Sequence, residues 1–300
     1  MVISRFAPAP TGLLHLGHVV NAIYVWGITK SLGGRVLLRI EDHDRQRSRA
    51  DFERAILDDL DWLGFVPDES TTDRFRAGRC LSRQSDRSEI YAEALQKLRS
   101  LGLVYACECS RSDIVTASMT LQDELRYPGT CTSKGLTEQP GRGIRIRLAP
   151  STERFIDLRH GALEQRPFEQ CGDLLAVDRE GNWTYQFAVA VDDVDQGVTH
   201  VVRGDDLLSS TGRQIQLARL IGRPSPPQFL HHPLVMKTAT QKLSKADGDT
   251  SVRDLRAAGM NPADVIGRAA AVVGLIPSER SIGASNVADV IRGSPQTIRL

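Results

Sequence analysis

Two imidazoles three residues apart, His15 and His18, lie in the run Pro10-Thr-Gly-Leu-Leu-His-Leu-Gly-His18. On a helix that spacing puts both rings on one face. The run follows a short apolar stretch and opens a longer one. The pair therefore falls at a helix N-terminus, beside unpaired backbone N–H groups and the positive end of the helix dipole. Such a place binds anions, and Gly12 and Gly17 let a bulky ligand approach the backbone. An imidazole donor near the α- and β-phosphates of a nucleotide would stabilise charge as phosphorus becomes pentacovalent. Alone, the histidines could equally cap or pack. Late in the chain, Lys242-Leu-Ser-Lys245 sets two lysines around a small hydroxyl residue, able to hold a pyrophosphate leaving group as point charges. A solvated charge pair is the plain account of that run by itself; paired with the histidines, leaving-group binding is the better one.

Three cysteines form a second constellation. Cys107-x-Cys109 and, after a loop, Cys131 supply soft ligands suited to tetrahedral Zn²⁺. The spacing is not that of a common zinc finger, so a metal and plain buried thiols both stay open. Cys80 and Cys171 have no partner in sequence and read as buried thiols.

The elements that must position these residues follow from apolar patterning. Val2 to Phe6 reads as a strand, a helix runs from Gly17 to a stop at Gly33-Gly34, and Val36 to Ile40 is a continuous apolar run of the kind found in buried strands. A strand–helix–strand unit of this length implies a parallel, right-handed crossover. Ser48-x-x-Asp51 and Asp86-x-x-Glu89 read as capping boxes of two amphipathic helices ending at Gly64 and Gly102. Asp58, Asp59 and Asp61 read as a solvated helix face. Residues 103–173 break the pattern with short strands and Pro/Gly punctuation and read as an insertion. Periodicity returns at 174–177, 186–191 and 198–202, with a helix near 210–221. Asp192, Asp193 and Asp195 read as a turn at a strand end, with positioning of Mg²⁺-ATP as the alternative. The expected fold is α/β, a doubly wound parallel sheet interrupted by an insertion. The divisions are 1–102 and 174–245 for the two halves of the core, 103–173 for the insertion and 246–300 for a helical C-terminal segment.

Composition narrows the class. The chain has 300 residues, is 41% hydrophobic and 25% charged, and carries a net charge of +1. That is an ordinary globular balance, which excludes a disordered tail, a fibrous repeat and a chain-wide field for nucleic acid. RNA contacts must be local, and Arg45, Arg47, Arg49, Arg142, Arg145 and Arg147 are the candidates, each making affinity fall with salt. Arg145 and Arg147 alternate on a strand and share a face. No 18-residue apolar run or signal peptide is present, and five cysteines are too few for a disulfide scaffold. A reducing cytoplasm is the simplest location.

The histidine run, the late lysine loop and the parallel α/β core together resemble the class I aminoacyl-tRNA synthetases, glutamyl branch. The likeness extends through Arg5-Phe-Ala-Pro-x-Pro-Thr-Gly, Leu38-Arg-Ile-Glu-Asp-x-Asp44, Gly197-Val-Thr-His-Val-Val-Arg-Gly-x-Asp206 and His232-Pro-Leu-Val. The short run after Lys245, with no room for an anticodon-binding domain, and the cysteine cluster point to the truncated family of glutamyl-Q tRNA(Asp) synthetases. The resemblance implies a Rossmann-type core and a structural zinc held by Cys107, Cys109, Tyr127 and Cys131. It also implies a glutamate pocket from Arg5, Phe6, Ala7, Pro8, Ala9, Glu41, Tyr185 and Arg203, and an ATP site from His15, Gly17, His18 and Lys245, with Lys242 in support. Arginine forks bind carboxylates bidentately, and an amide offers only one acceptor, which separates glutamate from glutamine. The expected partners are L-glutamate, Mg²⁺-ATP and the anticodon loop of tRNA(Asp) carrying queuosine; a membrane is not one, and the protein is expected to be a monomer. Two positions depart from the family pattern: His43 stands where a small polar residue is usual, and Ala246 replaces a basic residue. Three other readings remain: a short glutamyl-tRNA synthetase acting on the tRNA 3′ end, a small-molecule adenylyltransferase, and a non-catalytic RNA-binding paralogue.

Overall fold

The computed structural model describes residues 1–117, 125–235 and 250–300. The chain opens with β1 (Ile3–Phe6), α1 (Leu16–Ser31), β2 (Arg35–Leu38), α2 (Ala50–Leu63), α3 (Thr72–Arg76) and α4 (Ser88–Ser100). It continues through β3 (Val104–Cys107), α5 (Arg111–Ala117), β4 (Gly143–Ile146), β5 (Glu153–Asp157), β6 (Gly161–Gln165) and α6 (Pro167–Cys171). Then come β7 (Leu174–Val177), α7 (Tyr185–Asp195), β8 (His200–Gly204), α8 (Thr211–Leu220) and β9 (Gln228–His232). Helices α9 (Val252–Ala257), α10 (Pro262–Val272) and α11 (Val287–Arg292) complete it.

The parallel core expected from the first forty residues is present. β1 pairs in parallel with β2, β8 with β9, and β9 with β5, while β6 adds an antiparallel edge. The Thr199 N–H donates to the Ile3 carbonyl at 2.9 Å, bringing the start of β8 alongside β1. β3, β4 and β7 form a separate antiparallel sheet. The expected insertion at 103–173 thus contributes strands to two sheets, and its own sheet is completed by β7 from beyond residue 173.

The chain between 186 and 191 is helical, inside α7, and Asp192 and Asp193 are buried on that helix rather than in a turn. The cause is electrostatic. Arg5 Nε and Arg39 Nη1 donate to Asp193 Oδ1 at 3.0 and 2.7 Å, and Arg87 Nε donates to Asp192 Oδ1 at 2.7 Å. A buried carboxylate is tolerated only when it is paired and hydrogen-bonded in this way. The two guanidinium groups hold the Asp193 carboxyl below the usual range against the opposing effect of burial. Neither aspartate is left to bind a cation, so the Mg²⁺ alternative falls.

Other local expectations need correction. α2 starts at Arg49 with no side-chain cap, and the Ser48 hydroxyl is buried without a partner. α4 is likewise uncapped; Asp86 instead accepts from the Cys80 N–H and Arg83. Asp59 is buried, and burial pushes its carboxyl up to about 6, so the solvated face is made by Asp58 and Asp61, which pair with Arg76. The terminal helices are part of the main core. A Cβ on Gly27 of α1 would stand 2.4 Å from Ile291 Cγ1 of α11, so only glycine allows that approach. Among the described residues no helix is long and apolar enough to cross a membrane.

Candidate active site

One cavity of about 350 Å³ opens at the C-terminal ends of β1 and β8, where sheets of this kind bind ligands. Arg5, Phe6, Ala7, Pro8, His15, Gly17, His18, Glu41, Tyr185 and Arg203 all line it. Ala9 does not; its carbonyl accepts the Thr11 N–H at 2.8 Å in the turn after β1. Lys242, Lys245 and Ala246 lie outside the described residues.

The histidines cap α1. His15 Nδ1 accepts the Gly17 N–H and His18 Nδ1 accepts the His15 N–H, each at 3.1 Å, with the ring centroids 4.0 Å apart. With both Nδ1 atoms used as acceptors, each neutral ring carries its proton on Nε2. Gly17 is required by this cap, because a Cβ there would lie 2.9 Å from His15 Cε1. Close packing of the cap explains this glycine.

Arg203 is the unusual charge. It is 3% exposed, yet no described carboxylate forms an ion pair with it. Its Nε donates to His231 Nε2 at 3.0 Å, Nη1 to Gln214 Oε1 at 2.6 Å and Nη2 to Thr211 Oγ1 at 2.8 Å. His231 is in turn fixed by Asp157, whose Oδ2 lies 2.7 Å from Nδ1. That bond puts the ring proton on Nδ1 and leaves Nε2 to accept from Arg203. Burial lowers the Arg203 pKa, and Arg5 lowers it further. Among the described residues this buried cation is held by neutral partners beside a second arginine, and Asp193 acts on it only through its field. Nearby, Arg39 Nη2 donates to Glu41 Oε1 at 2.9 Å, which fixes that carboxylate at the cavity wall. Burial, reinforced by Glu41, raises the Tyr185 pKa and keeps its hydroxyl a donor.

Some lining residues escaped the sequence reading. Asn21 follows His18 by three positions on α1 and could have been found from helical spacing. His232 was quoted only within a motif. It is buried, its ring stacks on Tyr24 at 5.0 Å, and burial pushes it down to about 4, so it is neutral. Arg39, fully buried and joining Glu41 to Asp193, gave no signal, since sequence does not show which arginines are buried.

The cysteines converge elsewhere. The Sγ atoms of Cys107, Cys109 and Cys131 lie within 4.8 Å of one another, and Cys107 Sγ is 3.5 Å from the Tyr127 hydroxyl. Ligands of a tetrahedral ion with bonds of about 2.3 Å stand roughly 3.8 Å apart, so this cluster could hold a metal. Without a cation the thiols oppose one another: burial and the neighbouring sulfurs push Cys109 up to about 11. Arg145, proposed to meet RNA, is spent here. It is buried, stacks 3.6 Å over the Tyr127 ring and donates to Cys107 Sγ at 3.3 Å. Arg147 shares that face, as expected, but covers the Tyr105 ring. Arg45, Arg47, Arg49 and Arg142 remain on the surface. Cys80 and Cys171 are buried thiols.

Comparison with known proteins agrees with this architecture. Residues 1–280 match the family described as tRNA synthetases class I (E and Q), catalytic domain. The chain is 40% identical over 284 residues to the glutamyl-Q tRNA(Asp) synthetase of Rhodobacter capsulatus, covering 88% of this chain and 98% of that protein. It is 39% identical over 286 residues to the protein of that name from Cupriavidus metallidurans, covering 93% and 87%. A glutamate tRNA ligase from Elizabethkingia meningosepticum, crystallised with its amino acid, superposes with a TM-score of 0.78 at 25% identity over 99% of this chain. This chain spans 66% of that ligase.

Proposed function

Because the chain belongs to the class I tRNA synthetases of the glutamate and glutamine branch, and within them to the glutamyl-Q tRNA(Asp) synthetases, we propose that it activates L-glutamate with ATP and transfers it to queuosine in the anticodon of tRNA(Asp). The observation that carries the substrate assignment is Arg203, a buried guanidinium that no described carboxylate pairs with, next to Arg5 in one cavity with His15 and His18. A side-chain carboxylate completes that arrangement and an amide does not. Glu41 receives the α-ammonium, the 5–9 segment shapes the pocket, and Tyr185 donates to the substrate or walls it.

The reaction has two steps. The glutamate α-carboxylate attacks the α-phosphorus in line and pyrophosphate leaves. The Nε2–H donors of His15 and His18 stabilise charge at phosphorus, and Lys245, with Lys242, holds the departing pyrophosphate. Mg²⁺ enters with ATP and neutralises phosphate charge. A hydroxyl of the queuosine cyclopentenediol then attacks the glutamyl carbonyl, forming an ester and releasing AMP. A splayed loop nucleotide is the sort of RNA feature a protein reads readily. We assign the enzyme to the cytoplasm, where its free cysteines stay reduced, and take it to act as a monomer.

The test is glutamate-dependent ATP–pyrophosphate exchange, followed by transfer of labelled glutamate to tRNA(Asp) with and without queuosine. Exchange with transfer to the modified tRNA alone is expected. Equal transfer to both defeats the queuosine assignment, and charging of the 3′ end of tRNA(Glu) would favour a short glutamyl-tRNA synthetase.

Cys107, Cys109, Cys131 and Tyr127 would hold Zn²⁺, which would pin the loop carrying Cys131 to β3. Cys107→Ser should reduce bound zinc from one per chain to well below half, read by metal analysis of the purified protein. Unchanged zinc content would show the metal assignment to be wrong.

A further inference from the structure

His43, the residue that departs from the family pattern, stands two positions after Glu41, so its backbone is at most about 7 Å further along the chain. It lines a second cavity of about 400 Å³, and Tyr185 lines both that cavity and the glutamate pocket. The rings of His43 and Tyr185 are 5.9 Å apart.

Its hydrogen bonds fix the tautomer of the neutral ring. Gln84 Nε2 donates to the buried Asp192 Oδ2 at 2.7 Å, which orients the amide with Oε1 toward His43. His43 Nδ1 lies 2.7 Å from that Oε1 and must be the donor. Nε2 therefore carries the lone pair, and no protein atom among the described residues bonds to it. Tyr185 and the carboxylates of Asp44, Asp178 and Glu180 line the same cavity, and Gln84 links the ring to Asp192. Asp44 is paired with Arg47, and Asp178 is occupied by the Glu180 and Asn182 N–H groups. None of these acids contacts the imidazole.

A base held by a buried carboxylate through one intermediary is the arrangement that general-base catalysis needs. We infer that His43 Nε2 is the base of the transfer step, taking the proton of the RNA hydroxyl as it attacks the glutamyl-adenylate. The hydroxyl oxygen bonds to the glutamyl carbonyl carbon. The bond from that carbon to the phosphate oxygen breaks, and AMP leaves with its electron pair. The hydroxyl proton ends on Nε2 and exchanges with solvent. The inference rests on the two-step reading above and deepens it, by naming where the acceptor enters. Activation has no attacking hydroxyl and makes no use of His43.

The experiment measures His43→Gln and His43→Ala in two reactions. Exchange reports folding and activation; single-turnover transfer from preformed adenylate reports the acceptor step across about pH 5 to 8, where histidine is the side chain that changes charge. The wild-type transfer rate should climb with pH to a plateau, the profile of a step that needs a general base in its unprotonated form. In both variants transfer should fall about 10²-fold, far more than exchange, and the climb should disappear. Wild-type transfer rates in the variants overturn the inference. So does a slower transfer that keeps the same pH dependence, since a structural role predicts that result. The two readings fail differently. If the wild type glutamylates some other tRNA hydroxyl, the queuosine assignment falls and the His43 effect is read on that acceptor. If it glutamylates none, both fall.

Discussion

His18→Ala should lower glutamate-dependent ATP–pyrophosphate exchange by about 10²-fold or more, the loss expected for one preorganised donor to a transition-state charge. The ring has two jobs that the variant separates. Through Nδ1 it accepts the His15 N–H and closes the cap of α1; through Nε2–H it would donate to the charge that develops at phosphorus. Losing the cap costs about 1 kcal/mol, which in a chain of this size shifts the melting temperature by only a few degrees. A catalytic collapse with a small thermal change is therefore the signature of a donor. Near-normal exchange would remove His18 from the chemistry.

Arg203→Ala should lower kcat/KM for glutamate by about 10³-fold in the same exchange reaction, with the KM for ATP moving no more than about threefold. The magnitude is that of truncating one member of a desolvated, hydrogen-bonded charge pair. Lysine should not rescue it. The guanidinium spends one N–H on each of His231, Gln214 and Thr211 and still has N–H groups on both terminal nitrogens for a carboxylate, while an ammonium has three donors in all. Stability should suffer little, because the variant also removes a buried charge that no described carboxylate pairs with. Equal loss for glutamate and ATP would mean that the whole cavity had deformed, and the specificity assignment would fail.

The sequence reading recovered most of the residues that line the cavity, because they lie at strand ends and at a helix start whose patterning is plain. His15, His18 and Gly17 follow directly from strand, turn and helix. Arg5 and Arg203 follow from the ends of apolar runs. What stayed hidden was burial of charge. An arginine or aspartate has the same symbol on a surface and in a core, so Arg39, Asp59, Asp192 and Arg145 were either passed over or given to solvent, cations or RNA. The helix at 186–191 was obscured for a related reason. Apolar residues at nearly every position fit a buried strand or a buried helix alike, and the pairing of Asp192 and Asp193 with three arginines identifies the buried face. The caps failed in the opposite sense: Ser48 and Asp86 match a common local pattern, but tertiary partners claimed Asp86 and the backbone started each helix one residue later.

Tyr24 has one end in each of two distant stretches of chain. Its hydroxyl donates to Gln296 at 2.5 Å, and its ring lies flat against His232 in the cavity wall. One tyrosine thus joins the segment around Gln296 to the cavity wall. A substitution at Gln296 therefore reaches the cavity through a ring that is itself fully buried.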